Sequence, residues 1–140
     1  MELGKAVKIS NAGMKAQSMR LRVISENIAN SDSLPTQPGQ DPYQRKVVTF
    51  DNDFDRELGA AMVRVDKVVK DQTEFQKRLD PGHPAADADG YVAAPNVNAL
   101  VEMMDMREAQ RSYEANLKTL ENTRSMMRQT IQLIGREQLN

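Results

Sequence analysis

The strongest constraint on the fold comes from two long, proline-free stretches with heptad spacing, one at each end of the chain. From Leu3 to Ile28 the positions Leu3, Val7, Ser10, Met14, Gln17, Leu21, Ile24 and Ile28 step alternately by four and three. That rhythm lays one narrow stripe along a helix of about 29 residues, ~44 Å long. Ala6, Ala12, Gly13 and Ala16 lie beside the stripe and permit close approach of a neighbouring helix. Ser10 and Gln17 interrupt it, as polar seam positions do when they set register at a cost in stability.

The far end repeats the pattern. Met103, Met106, Gln110, Tyr113, Leu117, Leu120, Arg124, Met127, Ile131 and Ile134 again step by threes and fours. Asn96 or Asn98 can cap the start, because an asparagine oxygen accepts from the free amides of a first helical turn. Gly135 lies just past the last stripe residue and suits a stop, giving a helix of about 37 residues. Glu114 and Lys118 stand four apart in the favourable order for an exposed pair.

Between these helices the composition changes. Pro35, Pro38, Gly39 and Pro42 make residues 31–42 an extended loop, since proline lacks a donor and restricts the residue before it. Tyr43 to Phe50 and Met62 to Lys70 are valine-rich with some alternation and read as short strands, as do shorter stretches around Phe75 and Tyr91. Asp51 to Glu57 reads as an acidic connector, and Asp80-Pro81-Gly82-His83-Pro84 as a tight turn. The expected class is therefore mainly α: long N- and C-terminal helices packed as a coiled-coil-like pair in a helical assembly, with a small irregular β-containing middle. One structural unit is expected, with an N-terminal helix at 1–30, a middle segment at 31–97 and a C-terminal helix at 98–140.

Composition points to burial between chains. Only 39% of the 140 residues are apolar and tryptophan is absent, so one isolated copy can build only a thin core. A compact bundle within a single chain stays open as an alternative. Net charge is -1, which gives no case for nucleic acid, whose phosphates call for a basic face or stripe. Without cysteine there is no disulfide framework and no thiolate chemistry. The N-terminus lacks the apolar run of about 7 to 15 residues that a cleaved secretory signal needs. No run reaches the roughly 18 to 20 apolar residues of a membrane span.

Catalytic and cofactor motifs are missing too. The single histidine, His83, sits in the turn beside Asp80, Asp87 and Asp89 and reads as a loop residue without a chemical role. Asp87-Ala88-Asp89-Gly90 resembles the middle of a calcium loop. With Gly90 at the invariant glycine, however, Ala85 and Asn96 fall where carboxylate ligands belong. No phosphate loop, dinucleotide fingerprint or nucleophile elbow is present. No enzyme activity, cofactor or metal is expected.

Two sets of residues go beyond helix patterning. The end of the first helix carries Asn27-Ile28-Ala29-Asn30, which resembles the signature shared by the rod and hook subunits, the axial protein family of the bacterial flagellum. The remainder narrows the likeness to the proximal rod members of that family. It consists of Asp41-Pro42-Tyr43-Gln44-Arg45-Lys46, the run from Asp80 to Val92, Pro95-Asn96-Val97-Asn98, and Met106 to Asn116. The resemblance implies a structural subunit of the proximal rod, exported without a cleaved signal through the flagellar type III apparatus and polymerised in the periplasm. A torque-transmitting drive shaft that also walls an export channel follows from it. The implied partners are further copies of the chain, the rod proteins FlgB, FlgF and FlgG, and FliE. Another rod or hook subunit, or a dimeric coiled-coil adaptor, is the alternative.

The positions expected to carry assembly are Leu3, Val7, Met14, Leu21, Ile24, Asn27, Ile28 and Asn30 on the first helix. On the second they are Met103, Met106, Tyr113, Leu117, Leu120, Met127, Ile131 and Ile134.

Overall fold

The computed structural model describes residues 2–137, with side-chain burial as far as residue 135. Helix α1 spans Glu2–Ala29 and helix α2 spans Ala99–Glu137, 28 and 39 residues long. Between them lie β1 (Lys46–Asp55), β2 (Ala60–Lys70), β3 (Gln76–Leu79) and β4 (Tyr91–Ala94). β1 pairs with β2 and β3 with β4, giving two separate antiparallel two-stranded sheets.

This arrangement corrects the expected class. The chain is α+β, and its middle segment consists of two regular ribbons in defined register. β1 and β2 run for 10 and 11 residues; β1 starts at Lys46 and continues past the expected end at Phe50, whereas β2 starts at Ala60 and ends at Lys70 as expected. Asp51 to Asp55, expected as a connector, continues β1 opposite Arg64 to Ala60. Arg64 lies across from these acids and pairs with Asp51 at 3.4 Å and Asp53 at 4.0 Å, so strand pairing offsets the poor β-propensity of aspartate. The connector shrinks to residues 56–59, where Gly59 takes φ +60° and donates its amide to the Asp55 carbonyl at 2.9 Å. A bulge between Thr49 and Phe50 shifts the register midway.

The helix ends are also adjusted. Asn98 is the cap of α2, its Oδ1 accepting from the amides of Leu100 and Val101 at 3.0 and 3.3 Å. Gly135 does not stop α2, which continues to Glu137; an exposed helix end carries no contact that makes a lone glycine decisive. Residues 138–140, the end of the expected C-terminal segment, lie outside the described residues, as does Met1.

The apolar core is small and divided. Ala16, Val23 and Ile24 of α1 and Ala109 and Leu120 of α2 are buried, as are Ala85, Val92 and Val97 in and beside the β3–β4 ribbon. The β1–β2 ribbon lies along α1, where Asp53, Met62 and Val65 face Ala12, Lys15 and Met19.

Candidate functional site

α1 and α2 run antiparallel. Asn27 meets Glu102 at one end, Gly13 faces Asn116 near the middle, and Leu3 lies beside Ile131 and Ile134 at the other end. The covered positions of α2 are Glu102, Met106, Ala109, Tyr113, Asn116, Leu120, Thr123 and Met127, a true heptad series. It is not the series of largest apolar residues. Met106, Tyr113, Leu120 and Met127 belong to both, but Glu102, Ala109, Asn116 and Thr123 stand where Met103, Gln110, Leu117 and Arg124 were expected. On α1, likewise, Gly13 and Asn27 take the places expected of Met14 and Ile28.

Close approach explains the displacement. A Cβ added to Gly13 would come within 2.8 and 2.9 Å of the Asn116 amide atoms, so the helices touch where neither carries a large side chain. Ala109 is fully covered and Ala16 nearly so. Packing at this spacing favours Glu102, Ala109, Asn116 and Thr123 at alternate seam positions and leaves Met103 and Leu117 turned outward. Of the sixteen residues expected in the assembly contact, Ile24, Asn27 and Leu120 are buried inside the pair. Leu3, Val7, Met14, Leu21, Ile28, Asn30, Met106, Tyr113 and Met127 are partly covered. Met103, Leu117, Ile131 and Ile134 remain 51, 38, 67 and 55% exposed.

The two helices are locked at the Asn27 end by a buried polar hub. Asn27 Nδ2 donates to Glu102 Oε2 at 3.0 Å and to the Lys46 carbonyl at 2.8 Å. Its Oδ1 accepts from Tyr43 Oη and from the Lys46 amide, each at 2.9 Å. All four hydrogen bonds available to an asparagine side chain are thus made. Arg45 Nε donates to Glu102 Oε1 at 2.6 Å, while its Nη1 reaches Asp71 Oδ2 at 3.3 Å and its Nη2 lies 3.7 Å from Asp105. Lys46 also pairs with Glu26. Asn96 completes the frame, accepting from the Arg45 amide at 2.7 Å and donating to the carbonyls of Asp71 and Thr73.

Glu102 is only 1% exposed, and a carboxylate at that depth persists because Arg45 and Asn27 satisfy both oxygens. Burial disfavours the Arg45 charge, but Glu102, with help from Asp71, outweighs it and holds the guanidinium above its ordinary value. The Thr73 amide in particular lowers Asp71 below the usual carboxylate range. Burial, then the fields of Glu26 and Glu102, push the Tyr43 phenol up to about 12.

Within the signature at the end of α1 the two asparagines have different tasks. Asn30 finishes the helix, its Nδ2 donating to the Glu26 carbonyl at 2.8 Å. Asn27 is the hub. Tyr43, Arg45, Asp71, Asn96 and Glu102 were not among the expected site residues. The available signal was Glu102 standing one residue before the expected stripe, on the row of Met106, Ala109 and Tyr113. His83 serves the turn, its Nδ1 accepting from the Ala85 amide at 3.1 Å, and Asp87 Oδ1 accepts from the amides of Asp89 and Tyr91. Among the described residues no group of three or more metal-ligating side chains occurs, and no helix is long and apolar enough to cross a membrane.

Residues 88–133 match the family described as flagellar basal body rod FlgEFG protein C-terminal, a stretch covering β4 and most of α2. The chain is 49% identical over 136 residues to the flagellar basal-body rod protein FlgC of Agrobacterium fabrum, covering 97% of this chain and 98% of the relative. It is 39% identical to FlgC of Salmonella typhimurium over 133 residues, with 95 and 98% covered. Identity to FlgC of Borreliella burgdorferi is 34% over 152 residues, with 96 and 99% covered.

Proposed function

The chain belongs to the FlgC family of flagellar basal-body rod proteins, and on that premise we propose that it joins its neighbours through the outward apolar row of its helix pair. It is a structural subunit of the flagellar rod and assembles there with other rod components. Its segments 1–30, 31–97 and 98–140 act as one unit, the middle bracing the helix pair. Its role is mechanical, without catalysis, cofactor or metal.

The observation that supports this reading is the exposure of Met103, Leu117, Ile131 and Ile134, together with Leu100 and Met104 at 68 and 65%. Complete burial of such a side chain is worth about 1.5–3 kcal/mol, so covering the exposed half yields about 1 kcal/mol for each. A row of six, repeated at every subunit, is enough to stiffen a tube. Leu3, Val7, Met14, Leu21 and Ile28 extend this contact surface on α1, while Ile24, Asn27 and Leu120 hold the pair together from within. The partners are other copies and the rod proteins FlgB, FlgF and FlgG, with FliE. The rod lies in the periplasm, transmits torque and walls the export channel. Subunits reach it through the type III apparatus without a cleaved signal.

Leu117→Glu and Ile131→Glu test this reading. Leu117 lies off the inner seam and Ile131, although beside Leu3 at the open end of the pair, is 67% exposed, so each charge is added at the surface. Swimming should be lost while the isolated chain keeps the stability of the parent. Motile cells carrying both substitutions would refute the assignment of this row.

A further inference from the structure

We propose that the acidic tip of the β1–β2 ribbon of one copy docks into the basic cleft between β3 and the start of α2 on a second copy. This rests on the rod-subunit reading and names one contact by which copies are held.

The cleft, about 540 Å³, has Gln76, Lys77, Arg78 and Asn98 on its rim and the buried Pro95 and Val97 in its floor. Lys77 and Arg78 are exposed, and among the described residues neither forms an ion pair. Asp32 is the one acid on its described wall. The start of α2 opens on the same cleft and adds the positive end of the helix dipole. The surface suits an acidic segment with an apolar anchor.

The chain carries such a segment. Asp51, Asp53, Asp55 and Glu57 outnumber Arg56 and Arg64 at the ribbon tip, and Phe54 among them is 61% exposed. Arg64 pairs with Asp51 and Asp53, but all three are more than half exposed, where such pairs hold little energy and leave the tip acidic. A copy cannot use its own cleft. Asp53 lies beside Lys15 on α1, whereas the cleft begins at Ser31, ~24 Å further along the axis. A second copy displaced by about that distance brings tip and cleft together. Because the two surfaces differ, the contact is head-to-tail, the type that builds a helical rod when its rotation does not close.

The chain contains no cysteine, so introduced thiols report this contact alone. Cells would express two versions together, Glu57→Cys and Gln76→Cys, and basal bodies would be purified and mildly oxidised. Asn52→Cys with Ala94→Cys provides a second pair should the first impair swimming. A disulfide-linked dimer at least ten-fold above that from either version alone is expected. Lys77→Glu with Arg78→Glu should cut it ten-fold, and Asp51→Lys with Asp53→Lys on the other version should restore it. Both versions present in rods without a dimer, or linkage of the cleft thiol to a different rod protein, would overturn the proposal. Absence of the unsubstituted chain from purified rods would instead overturn the rod-subunit reading, and this contact with it.

Discussion

Asn27→Asp is nearly isosteric, yet it should be among the most damaging single-atom changes available in this chain. The amide now donates to Glu102 and to the Lys46 carbonyl, and an ionised carboxylate can donate to neither. The Lys46 carbonyl loses its partner at a cost of about 1–3 kcal/mol. The new carboxylate also stands 3.0 Å from Glu102 Oε2, where two like charges raise the cost by about 2 kcal/mol. The sum, about 3–5 kcal/mol, is comparable to the stability of many small domains. Asn27→Ala, which leaves Tyr43 and Lys46 unpaired but adds no charge, should cost about 2–3 kcal/mol.

The pH dependence separates electrostatics from simple loss of fit. The introduced carboxyl holds its proton in the folded chain to a higher pH than the roughly 3.9 of a free aspartate. A folded-state value above the unfolded one contributes stability that is present at low pH and is lost as pH rises through the folded value. Urea unfolding of the isolated chain, followed by circular dichroism, should therefore show the gap to the parent widening from pH 4 toward neutrality. A gap under about 1 kcal/mol, or one independent of pH, would refute the hub as the lock between the helices.

Tyr43 titrates with the opposite practical window. Its folded value of about 12 exceeds the ordinary 10.0, so stability present below pH 10 falls between 10 and 12. Tyr43→Phe should abolish that part, about 1–2 kcal/mol after allowance for solvent screening, in paired denaturation curves. Gly13→Leu should push α1 off Asn116 and lower the unfolding free energy by about 2 kcal/mol or more, read as an earlier urea transition. Gln17 Oε1 is buried and has no hydrogen-bond partner among the described residues, so Gln17→Met should raise stability by about 1 kcal/mol. His83→Ala removes only the acceptor for the Ala85 amide and should leave swimming unchanged in soft agar.

The long helices were legible because their spacing is local information: uninterrupted heptad steps without proline admit few other folds. Alternate positions of the α2 seam lie one residue before those marked by apolar spacing. Apolar size identified Met103 and Leu117, but the inner contact depends on how closely two axes approach, and Gly13 opposite Asn116 expresses that only in pairs. Glu102 carried no sequence mark of its burial, which is costly unless a partner is present, and its partners Arg45 and Asn27 are distant in sequence. The same holds for the ribbons. Valine alternation marked β2 and the first half of β1, whereas Asp51 to Asp55 became strand through pairing with Arg64 and its neighbours. The signature at the end of α1 was recognised as a string; that Asn27 is the buried hub and Asn30 the helix end required the fold.

The central claim is that small and polar residues at alternate seam positions bring α1 and α2 together and leave exposed apolar side chains such as Leu117 and Ile131 for neighbours. Maleimide labelling of single cysteines at Leu117 and Ile131, in the isolated chain and in purified rods, tests it most directly. Both sites should react readily in the isolated chain and become protected at least ten-fold in the rod. Equal labelling in the two states would contradict it.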